Sequence, residues 1–529
     1  MRFKVLLGAL VIAAVALAIS FGAQTLPNHR LSETLSDYQV DVLLRAEAGE
    51  VSAQMMMGEW QLDGSVGFKD EFQARKWFRL AAEQGHADAQ FALADLIVSA
   101  FPYTPDDASD DALAESNQWL RLAAEQGHVE ASKALGYRYW QGEGIEKNDA
   151  EAVRWMERAA RKGDSLAQSF LADAYAHGEG VQPDPVEAAA WNLKAAQSGL
   201  QSAQLELGVA FKEGNGVPQD AAQAVHWLTL AAEGDYGLAE AKLELARLYL
   251  RGDRSVQDKD RAVSLYTEIG DVSPEAQYEL AMAYISGEAV PPKADWRLDP
   301  ELQKDAIEMA FDPRAASSPK EAADVGRDLL VGSAEAGFAQ AQLELGLMIM
   351  SGEGWAADPA VAVHWLRAAA DQGLADAQYA LGYSYGTGEG VAKDEKEAYR
   401  LMLAAADQGN AKAQNAVAWH AYNGKGTVQD SAVAVTWYRR AALQGDPVAQ
   451  RYLGRHYALG EGVPQNNLKA HMWTNIALSN GYDVEADLRD KLNGLSTSLS
   501  PEDLAAAQAM ASACVTSGYA NCGEPGQAE

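Results

Sequence analysis

Three glycines at alternate positions, Gly386, Gly388 and Gly390 in "YSYGTGEGVAKD", are of the residue type that cradles phosphate. Without Cβ atoms in the way, backbone N–H groups can close on an anion. A nucleotide loop of that kind follows a strand and runs directly into a helix. Here the pattern recurs instead. G-E-G stands at Gly142/Gly144, Gly178/Gly180, Gly352/Gly354, Gly388/Gly390 and Gly460/Gly462, with G-N-G at Gly214/Gly216 and G-K-G at Gly424/Gly426. The steps 142 to 178, 178 to 214, 352 to 388, 388 to 424 and 424 to 460 are each 36 residues. Seven copies at a fixed period mark a repeat array rather than a nucleotide site. The glycines therefore read as turns between helices, and no cofactor is expected.

The remaining reactive residue types form no catalytic grouping. H-E-x-x-H, G-x-S-x-G and Walker sequences are missing, as is a cysteine with a nearby histidine. His86 and His128 share one register of the repeat, His226 and His364 another. Equivalent positions in consecutive units lie about a helix diameter apart, ~10 Å, too far for one zinc with ligands at ~2 Å. No metal site is expected. Cys514 and Cys522 in "CVTSGYANC" are the two cysteines, expected to form a disulfide in an oxidising compartment, with two free thiols as the alternative.

A net charge of −32 argues against a nucleic-acid partner, which would need clustered Lys and Arg. Hydrophobic residues make up 48% of the 529, enough for a continuous core. At the N-terminus, Arg2 and Lys4 precede an uncharged run from Val5 to Ala23. That run fits a secretory signal and approaches the ~20 residues that span a bilayer. Residues 1–23 are thus a signal peptide or an uncleaved anchor, and either one exports the rest. Membrane contact, if the segment stays, is through residues 5–23.

Glycines at 49, 85, 127, 163, 199, 337, 373, 409, 445 and 481 end the successive units. Within Leu374 to Gly409, apolar residues at three- and four-residue spacing predict two amphipathic helices, about Asp376–Tyr385 and Glu395–Asp407. No strand pattern is present, so the fold class is all-α. Eight residues before the closing glycine stand Trp77, Trp119, Trp155, Trp191, Trp227, Trp365, Trp437 and Trp473, with Leu401 once. They are expected at one buried slot per unit. An alanine pair precedes the closing glycine, and nine residues after it comes Gly or Ala, for close helix approach.

These columns, "A-x-A-Q-x-x-L-G-x-x-Y-x-x-G-x-G-V-x-x-D-x-x-x-A-x-x-W-x-x-x-A-A-x-x-G", resemble the Sel-1-like repeat, a relative of the tetratricopeptide repeat, over about residues 49 to 481 in eleven units. The resemblance implies a right-handed α/α superhelical solenoid that binds proteins. It does not imply a substrate. Cysteine-rich members described as β-lactamases carry a cysteine pair in each repeat, which this chain lacks.

Two units are long. Extra residues fall in Ser99 to Asp111 and in 291–319, both in the turn joining first helix to second. The longer insertion, with an expected helix from Pro300 to Phe311, carries Trp296, Leu298, Ile307, Met309 and Phe311, expected as a partner-binding segment. The organisation read from sequence is a leader to 23, an N-terminal capping segment 24–48, repeats 49–272, a unit with the long insertion 273–336, repeats 337–481, and a capping helix and tail 482–529. Gly237 to Ser273 is irregular and reads as a weak joint. The functional expectation is a non-enzymatic scaffold in a bacterial envelope, periplasmic, whose partners are other envelope proteins. A cell-wall or β-lactam hydrolase and a polysaccharide-binding scaffold are the alternatives.

Overall fold

The computed structural model describes residues 36–66, 68–99, 110–233, 237–289, 319–481 and 486–523. Every regular element among them is an α-helix, paired in tandem repeats. The leader, the tail beyond 523 and the insertion residues 100–109 and 290–318 lie outside the described residues.

The unit Leu374 to Gly409 shows how the sequence builds one repeat. Its helices run Ala375–Thr387 and Glu395–Asp407. Gly388 ends the first in the left-handed region, φ +84°, and its N–H donates to the Ser384 carbonyl at 2.8 Å. The Glu389 N–H donates to the same carbonyl, and the Asp394 N–H returns to Tyr385. Asp394 then caps the second helix, its carboxylate accepting from the N–H groups of Lys396 and Glu397 at 2.9 and 3.1 Å. Gly390 has φ +72°, and a Cβ there would strike the backbone carbonyl of Pro359, in the preceding unit. The second glycine thus lets each turn lie on the repeat before it. Gly180 against Asp149, Gly426 against Glu395 and Gly462 against Ser431 repeat this contact. The N–H groups of Gly388, Glu389 and Asp394 are thus spent inside the turn.

The small column after each closing glycine does admit a close neighbour, but not the tryptophan. A Cβ on Gly58, Gly136, Gly208, Gly346, Gly382 or Gly454 would press on Phe78, Met156, Leu228, Leu366, Met402 or Thr474, each one residue past the tryptophan slot. These residues are all buried. The tryptophans are less uniform than expected: Trp155, Trp191, Trp437 and Trp473 are buried, whereas Trp77, Trp119, Trp227 and Trp365 are half-buried. Cations lie over three of the buried rings, Arg158 over Trp155, Lys194 over Trp191 and Arg440 over Trp437.

A glutamine ladder links the units. Gln342 donates to the Ala334 carbonyl at 3.0 Å, Gln414 to Ala406 at 3.2 Å and Gln450 to Ala442 at 3.1 Å. The glutamine before the next closing glycine then donates to the first one's Oε1: Gln372 to Gln342 and Gln444 to Gln414, both at 2.8 Å. Gln84 to Gln54 and Gln126 to Gln90 do the same. The ladder breaks where Ser198 occupies the donor slot, leaving Gln168 Oε1 buried with no partner.

The chain divides between Glu244 and Leu245 into two compact units. In the first, Asp37–Glu47 leads, followed by first helices Val51–Asp63, Ala87–Ser99, Val129–Gln141, Ser165–His177 and Gln201–Glu213. Their partners are Glu71–Glu83, Asp110–Glu125, Asp149–Ala160, Pro185–Gln197 and Ala221–Glu233. In the second, first helices Pro274–Ile285, Ala339–Ser351, Ala375–Thr387, Ala411–Asn423 and Pro447–Leu459 pair with Pro319–Glu335, Pro359–Asp371, Glu395–Asp407, Ser431–Ala442 and Asn467–Ser479.

The stretch read as irregular folds as a helix pair, Ala239–Arg251 and Lys259–Gly270. Fully buried Tyr266 takes the Phe78 register there and donates to Glu279 at 2.8 Å. At the far end, Ser500 caps Pro501–Thr516 by accepting from the Asp503 N–H. A further helix, Ala486–Ser498, precedes it.

Candidate interaction surfaces

One register of the first helices carries outward-facing side chains: the residue directly after the small column. In the second unit consecutive first helices place Leu347, Tyr383 and Trp419 there, 41%, 53% and 43% exposed, followed by Arg455. Each sits on a helix whose small residue, Gly346, Gly382 or Ala418, locks it against its partner. Stacked units space such positions about a helix diameter apart, ~10 Å. The result is a row of large apolar side chains on rigid supports.

The same register of the first unit reads Glu59, Asp95, Tyr137, Asp173 and Val209. Partial withdrawal from water pushes the Asp173 carboxyl above its ordinary range. Glu206, one turn before Val209's end of its helix, is raised by the same cause, with repulsion from Asp173 adding to it.

A cleft of about 630 Å³ opens in the first unit between Asp110–Glu125 and Asp149–Ala160. Arg121, Tyr139, Lys147, Arg154, Trp155 and Arg158 line it together with Glu125, Glu146 and Glu151. Arg121 donates to the Tyr139 hydroxyl at 2.5 Å. Arg154 pairs with Glu151 at 3.1 Å and Lys147 with Asp149 at 3.4 Å.

Of the residues singled out in the sequence, Cys514 and Cys522 are joined as a disulfide, both buried in the terminal core. Trp296, Leu298, Ile307, Met309 and Phe311 lie outside the described residues. His128 serves as a helix cap, accepting from the Ala131 N–H at 3.1 Å and stacking on Phe91. His226 and His364 each lie beside the ring of the adjacent tryptophan. Among the described residues no group of three or more His, Cys, Asp or Glu could hold a metal. No helix among them is long and apolar enough to cross a membrane, and residues 5–23 are not among them.

The exposed register and the cleft were missed in the sequence. The register was legible in principle as the position after the small column, but burial had to be known before its apolar residues stood out. The cleft assembles side chains from two repeats, and no local spacing announces it.

The Sel1 repeat profile matches residues 51–86, 111–128, 129–164, 165–200, 201–236, 239–269, 274–295, 339–374, 375–410, 411–446 and 447–482. The chain is similar to the crystal structure of c5321, a protective antigen present in uropathogenic Escherichia coli strains and displaying an SLR fold. That similarity is 28% identity over 91% of this chain and 96% of that one, with a TM-score of 0.50. It is also similar to a Sel1 repeat protein from Oxalobacter formigenes, at 28% identity over 72% of this chain and 89% of that one, TM-score 0.39. No curated protein matches. With eleven matched repeats covering most of its length, this chain belongs to the Sel1 repeat family.

Proposed function

We propose that this chain is an exported, non-enzymatic scaffold of the bacterial envelope that docks a protein partner on the first helices of its second unit. The observation that carries the reading is the row Leu347, Tyr383 and Trp419, exposed at one register of three consecutive repeats. Large aromatic side chains held by a rigid backbone lose little entropy on binding and supply much of the energy of protein interfaces. Neighbouring Arg455 adds a charged edge, as interface rims do. Membership in a repeat family that generally serves as interaction scaffold supports the same reading. The uncharged run from Val5 to Ala23 behind Arg2 and Lys4 supports export. The insertion 291–319 is a second contact in this proposal, independent of the row.

In the test, Tyr383 and Trp419 are both replaced by Ser in the full chain, and crosslinked partners are recovered from intact cells. The expected result is loss of a specific adduct with an unchanged helical spectrum. Retention of every adduct contradicts docking on this face. Replacing 291–319 with a four-residue turn reports separately on the insertion. A reporter fused after Glu529 should be active only outside the cytoplasm; activity inside it contradicts export. Measured turnover of peptidoglycan or a β-lactam contradicts the non-enzymatic reading.

A further inference from the structure

We propose that the cleft between Asp110–Glu125 and Asp149–Ala160 binds a short acidic peptide segment, whose carboxylate is held by Arg121 and Arg158. This site lies in the first unit and does not depend on the aromatic row of the second.

The first ground is two arginines in the cleft that no carboxylate answers. The chain has 75 acidic residues against 43 Lys and Arg. Yet neither Arg121 nor Arg158 makes an ion pair with a carboxylate among the described residues. Arg121 spends one N–H on the Tyr139 hydroxyl and lies against that ring. Arg158 lies over Trp155 with its guanidinium carbon 4.4 Å from the ring centre. Each keeps donors of its planar fork, a shape that matches carboxylate. Glu157, beside Arg158 in sequence, is engaged by Arg161 instead.

The second ground is independent. Trp155 is 4% exposed, lines this cleft, and its Nε1–H has no acceptor. Buried indole N–H groups are ordinarily satisfied, because an unmade hydrogen bond is costly. In the preceding unit Trp119 does find one, donating to Glu115 four residues earlier at 3.4 Å. The equivalent Glu151 is turned away to Arg154. The unmet donor belongs to a side chain that lines the same cleft as the two arginines.

The third ground is that the combination is not repeated. Its parts recur singly as packing, a cation over Trp191 and Trp437, an arginine on Tyr385 and an unpartnered indole N–H at Trp227, but not together. Arg79, at the Arg121 register, is paired with Glu115. Arg367, also at that register, meets a tyrosine hydroxyl at 3.1 Å, but the following unit has Leu401 and Ala404 where Trp155 and Arg158 stand. After Arg439 the Arg158 register holds Ile476.

The rest of the lining selects a peptide over other anions. Glu125, Glu146 and Glu151 also line the cleft and call for hydrogen-bond donors on whatever occupies it. The same carboxylates can accept from backbone N–H groups that a peptide offers. Tyr139 and Trp155 supply an aromatic floor. A volume of about 630 Å³ is in the usual range of ligand sites and suits a few residues.

The test is calorimetric titration of the full chain with acetyl-Glu-Glu-Glu-Glu-amide. Acetyl-Gln-Gln-Gln-Gln-amide and tetragalacturonate are titrated in parallel, at low and at moderate salt. The glutamate peptide is expected to bind, more weakly as salt rises. Arg121→Gln and Arg158→Gln are each expected to weaken it by about tenfold or more, the loss of a charge-assisted hydrogen bond. Arg121→Lys keeps the charge and should restore part of the affinity without the fork. Trp155→Phe keeps the ring, loses the N–H, and should weaken binding by about threefold to tenfold. Thermal unfolding of each variant establishes that it is folded. Absence of glutamate-peptide binding overturns the proposal, as does equal binding of the glutamine peptide or unchanged affinity in folded arginine variants. Binding of tetragalacturonate alone overturns the peptide assignment. Loss of the aromatic-row adducts has no bearing on this result, so the two readings fail separately.

Discussion

The first helices of the two compact units pack on the same pattern of small residues and differ in the side chains they turn outward. At the register after the small column, the first unit carries Glu59, Asp95 and Asp173 with Tyr137 and Val209 among them, and the last four repeats of the second carry Leu347, Tyr383, Trp419 and Arg455. Beneath that register the units are alike: Gly136 on Met156 in one and Gly382 on Met402 in the other. Packing therefore fixes every third or fourth residue and leaves the outward register free. A repeat chain can vary its surface from unit to unit at little structural cost, because each repeat packs only on its neighbours.

If the buried lattice is common to both units, large losses should follow from it equally. Phe78→Ala and Tyr438→Ala, each at the residue past the tryptophan slot, are expected to cost about 3–5 kcal/mol in their own units. Denaturant unfolding followed by hydrogen exchange checks this, and a marked difference between the two would break the likeness. A slightly smaller effect is expected from Gly426→Val. It places a branched side chain at φ +70° and against the Glu395 carbonyl, for about 2–5 kcal/mol in sum. Exchange protection should fall around residues 395 and 426 and hold in the first unit.

The glutamine ladder sharpens the comparison, since it is continuous around Gln414 and broken at Gln168. Gln414→Ala removes two side-chain hydrogen bonds, one to the Ala406 carbonyl and one from the Gln444 amide, which keep the Gly409 N–H and the Gly409 carbonyl as their remaining partners. Gln168→Ala removes one, to the Ala160 carbonyl, which keeps the Gly163 N–H, together with an oxygen that had no partner. The first substitution should cost more by about 1 kcal/mol, measured by chemical denaturation.

Acid should separate the units by the smallest margin. Burial lowers the pKa of His456 and His471 in the second unit. His456 is nonetheless held by the Glu461 carbonyl, with Arg455 nearby. A histidine kept neutral in the fold contributes stability above its unfolded value near 6.5 that is lost as pH falls from there. Asp173 and Glu206 are shifted upward, so the first unit gains stability as pH falls toward the carboxylate range. Asp446 acts in that same sense in the second unit, but only in the carboxylate range. Between pH 7 and 5.5 the second unit should therefore loosen relative to the first, as read by hydrogen exchange. His456→Gln should flatten the difference.

Much of this architecture was legible in the sequence because a 36-residue period repeats each signal many times. The turn glycines, the alanine pair and the second helix Glu395–Asp407 follow from spacing alone. The tryptophan column misled in part: four of its indoles are buried as read, but Trp77, Trp119, Trp227 and Trp365 are only half-buried, and the knob under the small column is the next residue. The stretch from Gly237 to Ser273 lost its glycine signals but kept its helices, since Ala246 and Tyr266 fill the positions of a small residue and its knob. The cleft was not legible at all, because Arg121 and Arg158 come from different repeats and each alone is an ordinary surface arginine.

The central claim is that partners dock on the apolar register of the second unit and not on the acidic one of the first. A photo-crosslinking residue placed singly at positions 383, 419, 95 and 173 of the full chain, irradiated in intact cells, tests it most directly. The account predicts a discrete adduct of the same mass from 383 and 419 and none from 95 or 173. Adducts from 95 and 173 with none from 383 and 419, or no adduct from any position, would contradict it.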